Sequence, residues 1–432
     1  MAYHTNTDLR NKVIYSVYVR NYSEEGTFAA VERDLDRIKS LGVDIIWFLP
    51  VYPIGKEKRK GILGSPYAIE NYREVNPELG TMEDFRRLND AIHAKGMKSM
   101  LDIVYNHTSP DSWLVKNYPE YFYKTPEGRM GNRVGDWGDI VDLDYNNRNL
   151  WEYQINTLKI WAEIVDGFRC DVAPLVPLEF WIKAREEVSK INPNCIWLSE
   201  SVEPGFILEL RLRGMTALSD SEIFQAFDMC YDYDIYHSFR QYLAGECRLS
   251  SYTEAVNRQE YSYPANYVKM RYLENHDQDR AKKIIPNEEA LLNWTAFLYF
   301  QKGAALLYAG QENEDENRPD LFNKDVIRLD GRHDISHWLR RLNQVKKLPV
   351  MAKSSYHLWA DDELGAVRGE HREVQGTDRL VGVFSFEGKI GQMETGLKDG
   401  TYENLVDGKM VQVQEGRIDL KVCPVIIKTE VA

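Results

Sequence analysis

Residues 167–200 read GFRCDVAPLVPLEFWIKAREEVSKINPNCIWLSE. The segment opens on a short apolar run at 167–172, passes through a helical stretch at 177–192 and closes on a second apolar run at 195–199. Both runs are apolar on both faces, as strands inside a buried parallel sheet should be, and parallel neighbours need a crossover of this kind between them. Each run also ends on an acid: Asp171 in the first, Glu200 just past the second.

The same alternation extends outward in both directions. Further strand-like runs stand at 14–19, 44–49, 98–105, 227–231, 267–273 and 304–308. In the first helix between them, Phe28, Val31, Leu35 and Ile38 recur at spacings of three and four, and Gly42 supplies a stop. In the next, Thr81 caps with Asp84 three residues on, and Gly96 follows the last turn. Residues 149–165 read as a further helix. Eight strand-then-helix units predict an α/β fold, a closed (β/α)8 TIM barrel rather than an open doubly wound sheet. An open sheet would leave edges to protect, and no Gly-rich dinucleotide turn follows the first strand.

Two stretches depart from the alternation. Between Asn106 and Asp144 the text becomes loop-like, and a connection this long inside a compact fold is usually functional. After about residue 350 the helical period stops, and Glu387-Gly388, Asp399-Gly400 and Asp407-Gly408 mark turns between short strands. The expected organisation is a barrel over 1–105 and 146–349, a short inserted loop domain after the third strand at 106–145, and a C-terminal antiparallel β-sandwich domain at 350–432.

Composition narrows the class of function. Lys and Arg number 54 against 67 Asp and Glu, a net charge of −13, which argues against a nucleic-acid partner. No run approaches the roughly 18 apolar residues of a membrane span. The opening MAYHTNTDLRNKVIYSV carries no leader pattern, and the five cysteines show no CxxC spacing, so a reducing cytoplasmic location is expected. Tyrosine is the commonest of the aromatics, at 26 residues, which suits either a large core or flat rings for sugar binding.

In a barrel of this type chemistry sits at the C-terminal ends of the strands. Those ends carry Asp102, Asn106 and His107 in LDIVYNH, Arg169 and Asp171 in GFRCD, Glu200 in WLSE, and His276 and Asp277 in LENHD. A single Asp at such a place can simply cap the next helix, but the set converges on one pocket. Glycoside cleavage needs two carboxyl groups flanking the bond, one ionised and one protonated. Arg169 is expected to lower the pKa of Asp171 and keep it anionic, as a nucleophile requires. Burial behind CIWLS is expected to raise that of Glu200, as an acid/base requires. Asp277 and the two histidines would bind hydroxyls and the charge developing at the ring. Cys170 is turned away from Asp171 by strand alternation.

LDIVYNH at 101–107, GFRCDV at 167–172, WLSES at 197–201 and LENHD at 273–277 resemble the four signature regions of the α-amylase family, glycoside hydrolase family 13, and VDLD at 141–144 resembles its fifth. The resemblance spans roughly residues 12–345, and the β-rich tail fits that family's C-terminal domain. It implies a retaining mechanism with Asp171 as nucleophile, Glu200 as general acid/base and Asp277 as transition-state stabiliser. It also implies that Arg169, His107 and His276 hold the sugar, that Asp102 supports them, and that Tyr67, 13 residues before Gly80, stacks on that sugar. Retention carries a geometric expectation of carboxyls about 5 Å apart.

Departures from the family pattern shape the expected substrate. Pro174 and Leu175 stand where many α-amylases have Lys-His, and Ser65 replaces a histidine. Val172 resembles enzymes that cut α-1,6 bonds in short oligosaccharides. The leading reading is hydrolysis of α-glucosidic bonds, foremost α-1,4, in maltodextrins or malto-oligosaccharides. The alternatives are an oligo-α-1,6-glucosidase, an α-glucosyl transferase or isomerase, and a non-catalytic sugar-binding relative. No cofactor is expected to be required. Asn106 and Asp142 match two ligands of the family's structural calcium, but two oxygens fall short of the six to eight that calcium takes. In the tail, Trp359 is expected to pack against the barrel.

Overall fold

The structure, a computed structural model, describes residues 4–134, 137–331, 333–420 and 423–430. Residues 1–3 and 431–432, the outer limits of the expected units, lie outside the described residues. Eight strands form the barrel: β1 (Val13–Val17), β2 (Ile45–Phe48), β3 (Lys98–Ile103), β4 (Gly167–Cys170), β5 (Ile196–Ser199), β6 (Met229–Tyr231), β7 (Lys269–Arg271) and β8 (Ala304–Tyr308). They close in the order β1-β8-β7-β6-β5-β4-β3-β2, and every neighbouring pair is parallel. Nearly every strand residue is buried, which is why the runs read as apolar on both faces.

The helix expected from Phe28 to Ile38 divides into Phe28–Arg33 and Leu35–Ser40. The break falls at Asp34, whose φ of −101° and ψ of 3° leave the α region, and whose carboxylate accepts from the Tyr22 hydroxyl and the Arg37 Nε. The helix Met82–Ala94 starts on the expected capping box: Asp84 donates its N–H to Thr81 Oγ1, and Thr81 donates its own to Asp84 Oδ2. Among the described residues no helix is long and apolar enough to cross a membrane.

The long connection after β3 is tied shut at its base. His107–Thr108 pairs antiparallel with Val141–Asp142, so the chain leaves the barrel and returns at the same point. The C-terminal sheet orders β9 (Ser354–Asp361), β10 (Ala366–Glu373), β11 (Asp378–Ser385) and β12 (Val425–Glu430) antiparallel. One face, with Ala366, Val381, Val383, Val425 and Ile427, packs on two short ladders at 392–394/417–419 and 400–403/410–413. The other joins the barrel core through Val367, Phe384 and Ile426.

That docking is close. Gly369 and Gly382 face each other across β10 and β11, and a Cβ on Gly369 would stand 2.5 Å from the ring of buried Phe300. Trp294, on the same helix as Phe300, stacks on Phe386 at 3.7 Å. Trp359 does not join this interface. Tyr356 and Leu358 take the barrel side of β9, so strand alternation turns Trp359 outward, 38% exposed, with the Arg368 guanidinium 3.8 Å over its ring.

Candidate active site

The strand ends converge on one cavity of about 610 Å³ at the C-terminal mouth of the barrel. Tyr67, His107, Asp171, Glu200 and Asp277 line it. Asp102, Arg169 and His276 form the layer behind, each at most 2% exposed. Register explains part of this convergence: Asp102 on β3 and Arg169 on β4 are direct partners, so a carboxylate and a guanidinium stand side by side at one level of the barrel.

Arg169 is the hub. Its Nη1 donates to Asp102 Oδ1 at 2.8 Å and to Asp171 Oδ1 at 2.9 Å, its Nη2 lies 3.0 Å from Glu200 Oε1, and its Nε donates to the Tyr231 hydroxyl at 3.1 Å. One fixed cation therefore serves three buried carboxyls, and the site cannot hold all three ionised without a large electrostatic cost. Burial pushes Asp171 and Asp102 up to about 6 and Glu200 up to about 7, with Arg169 opposing the rise in each case. The expected lowering of Asp171 is thus reversed, because its share of Arg169 does not offset desolvation. Asp277 goes the other way. Partial desolvation in the cavity mouth, where its side chain stays 40% exposed, raises its pKa, but His276 Nε2 at 3.0 Å and the charges of Arg169 and Arg318 outweigh this and hold it below the ordinary range.

The ring-bearing residues make one unit. Tyr67 lies parallel to His276, with ring centres 5.6 Å apart. Its hydroxyl is 2.6 Å from His276 Nε2 and donates to Asp102 Oδ2 at 3.2 Å. His107 is buried, which lowers its pKa to about 4, so at neutral pH it is an uncharged hydrogen-bonding group suited to a hydroxyl. Cys170 is fully buried and burial pushes its thiol well up, so it offers no nucleophile.

Asn106 and Asp142 belong to a different place. They line a separate cavity of about 190 Å³, together with Arg133 and Asp144. Arg133 donates its backbone N–H to Asp142 Oδ2 at 2.7 Å, and its guanidinium lies 3.6 Å from Asp142 and 3.7 Å from Asp144. The Arg133 guanidinium lies at long ion-pair distance from both carboxylates while Asp142 Oδ1 is buried without a hydrogen-bond partner, and the two side-chain oxygens of Asn106 and Asp142 fall short of the six to eight that calcium takes.

Several wall residues gave no signal in the sequence. Lys60 lies in a charged run after β2, its Nζ pairs with buried Asp139 Oδ1 at 2.8 Å, and both line the cavity. The pair joins the loop after β2 to the inserted segment after β3, whereas Glu200, Val202 and Phe206 follow β5 on another side of the wall. The segment after β8 also contributes: Arg318 Nη1 donates to the Asp277 carbonyl at 2.9 Å.

Paired carboxyls at the mouth of a closed (β/α)8 barrel suit the cleavage or transfer of a glycosidic bond. The chain belongs to the α-amylase family: residues 6–129 and 135–344 match the α-amylase catalytic domain, and residues 357–427 match the bacterial α-amylase C-terminal domain. It is similar to the crystal structure of an α-amylase from Lactobacillus plantarum, at 47% identity and a TM-score of 0.95, covering 98% of this chain and 100% of that one. It is also similar to a maltogenic α-amylase from Thermotoga neapolitana, at 32% identity and a TM-score of 0.87, with 98% and 100% covered. Among curated proteins, an α-amylase of Haloarcula japonica is 28% identical over 334 residues, 72% of this chain and 45% of that protein. The chain thus spans less than half the length of that curated relative.

Proposed function

We propose that the protein is a retaining glycoside hydrolase that cleaves α-glucosidic bonds, foremost α-1,4, in maltodextrins and malto-oligosaccharides. The observation that carries this reading is the seating of Asp171 and Glu200 on the two Nη atoms of one guanidinium, which puts both carboxyls on one side of the cavity. Burial pushes Asp171 up to about 6 and Glu200 up to about 7, an order in which Asp171 is the first of the coupled pair to lose its proton. That supplies a carboxylate to attack the anomeric carbon and an acid to protonate the departing oxygen. Glu200 then deprotonates the water that releases the sugar from Asp171. Asp277, held anionic, faces the positive charge that develops on the ring, while Tyr67 stacks on the sugar and His107 binds a hydroxyl. Arg169, His276 and Asp102 hold these groups in place from behind.

The units 1–105 with 146–349, 106–145 and 350–432 are proposed as barrel, loop domain and tail domain of this enzyme. We propose that it needs no metal at Asn106 and Asp142, because their two side-chain oxygens fall short of the six to eight that calcium takes.

A time course on maltoheptaose tests the reading. Shorter oligomers alone, born as α-anomers by ¹H NMR, support it; β-anomers at first release refute retention, and longer oligomers mean transfer. Val172, which borders the cavity beside Asp171, favours a second reading, an oligo-α-1,6-glucosidase. Faster hydrolysis of isomaltotriose than of maltotriose would select it.

A further inference from the structure

Four non-glycine residues among the described ones have positive φ: Lys58, Val172, Glu314 and Glu415. Only Val172 is β-branched, with φ of 36° and ψ of 42°, a left-handed conformation that its Cβ opposes. Such a conformation persists only where the surroundings over-determine it. Here they do. Asp171 donates its N–H to the Ile103 carbonyl at 2.8 Å, the Ala173 carbonyl accepts from the Trp181 indole at 3.0 Å, and the Pro174 carbonyl accepts from Leu218 at 3.0 Å. Both flanks of Val172 are pinned, and the turn between them is forced.

The forced turn has a visible product. The Val172 N–H donates to Glu200 Oε2 at 2.8 Å, while Oε1 of the same carboxyl lies against Arg169. Glu200 is itself anchored by its N–H on the Cys170 carbonyl at 3.0 Å. One carboxyl oxygen is therefore hydrogen-bonded and the other lies in ion-pair contact, and the Val172 donor comes from the backbone beside Asp171. We infer that Val172 is a positioning residue: its left-handed backbone turns the N–H onto Glu200 Oε2 and so fixes the plane of that carboxyl relative to Asp171.

The inference rests on the reading of Glu200 as acid/base. A hydrogen bond to the ionised form also favours that form, so the Val172 N–H opposes the rise that burial imposes on Glu200. The other groups that face Glu200 are Arg169 and Asp171 from β4 and its end, Asp102 from β3, Tyr231 from β6, Tyr233 just past it, and Asp277 after β7. Among these Arg169 is the only cation. Removing the N–H leaves it the sole strong partner of the charged form.

The test replaces Val172 by its α-hydroxy analogue in the full chain, an amide-to-ester change that deletes the donor and keeps the isopropyl group. Glu200 is followed by ¹³C NMR of its side-chain carboxyl, assigned with Glu200→Gln. Its titration is expected to move up by about one pH unit, with the alkaline limb of kcat/KM moving with it and kcat falling about three- to tenfold at little change in KM. Val172→Gly retains the donor and accepts the same φ, so its Glu200 titration stays within about 0.3 unit of the parent. An ester variant that titrates like the parent overturns the inference, as does a glycine variant that shifts as far as the ester. Absence of α-glucosidic activity in the parent overturns the proposed function instead, and the NMR titration still decides the role of Val172.

Discussion

Glu200→Gln should raise the thermal stability of the fold, and raise it more in alkaline than in acid solution. The parent carboxyl titrates near its ordinary 4.5 when unfolded and near 7 when folded, because burial disfavours its charge. A raised acid contributes no cost below the unfolded value, where it is neutral in both states. Its full cost is felt above the folded value, where folding must bury an anion. The difference corresponds to about 3 kcal/mol above pH 7 and about 1 kcal/mol near pH 5, by the usual 1.36 kcal/mol per unit. At about 2.1 cal/mol/K per residue, a 432-residue chain unfolds with an entropy of about 0.9 kcal/mol/K, so the pH-dependent part amounts to about 2–3 °C. The glutamine amide facing the Val172 N–H costs something at every pH and cancels in the comparison. Arg169 is not left unpaired, because Asp102 and Asp171 remain on it. Scanning calorimetry of parent and variant at one scan rate, near pH 5 and near pH 8, reads the effect. A Tm difference between variant and parent that is equal at the two pH values, or larger at pH 5, would refute the argument that burial and not Arg169 governs this carboxyl.

The same charges fix the pH profile. kcat/KM should rise through about pH 6 as the Asp171 side of the cluster ionises and fall through about pH 7 as the Glu200 side does, the two limbs belonging to the coupled set; a plateau from pH 5 to 9 would contradict this. Asp139→Asn breaks the ion pair with Lys60 on the cavity wall, and the products from maltoheptaose should shift toward longer released fragments by mass spectrometry; an unchanged product ladder would show that the pair does not bound the substrate. Arg133→Ala should lower Tm by about 1–2 °C, by removing about 1–2 kcal/mol of pairing at Asp142, whereas a chelator should leave the parent unmoved. A parent Tm that drops by more than about 5 °C in chelator would instead establish a structural metal.

Much of this fold is legible in the sequence. Each of the eight barrel strands overlaps a largely apolar run of the sequence, because strands buried on both faces are mostly apolar, the buried exceptions being paired charges such as Asp102, Arg169, Lys269 and Arg271. The acids stood out because they follow those runs. The strands proved shorter than the runs at the ends that matter: β4 stops at Cys170, and Asp171 and Val172 leave the ladder to reach the cavity. What sequence spacing concealed was stoichiometry and direction. Arg169 two residues before Asp171 reads as one cation for one acid, whereas Asp102 and Glu200 arrive on it from neighbouring strands. That division leaves burial to dominate at Asp171, whose pKa rises instead of falling, and sets it below that of Glu200. Lys60 and Asp139 lie far apart in the chain inside polar loops, and no local pattern separates such a pair from solvated charges. Trp359 reads as core by residue type alone, until the register of β9 assigns the barrel face to Tyr356 and Leu358.

The central claim is that Asp171 forms a covalent bond to the sugar. A 5-fluoro-α-glucosyl fluoride, whose glycosyl-enzyme hydrolyses slowly, can be incubated with the full chain, followed by proteolysis and mass spectrometry. The account predicts one added glycosyl group on the peptide that contains Asp171, and none in Asp171→Asn. A label on Glu200 or Asp277, or no label while the natural substrate yields the inverted anomer, would contradict it.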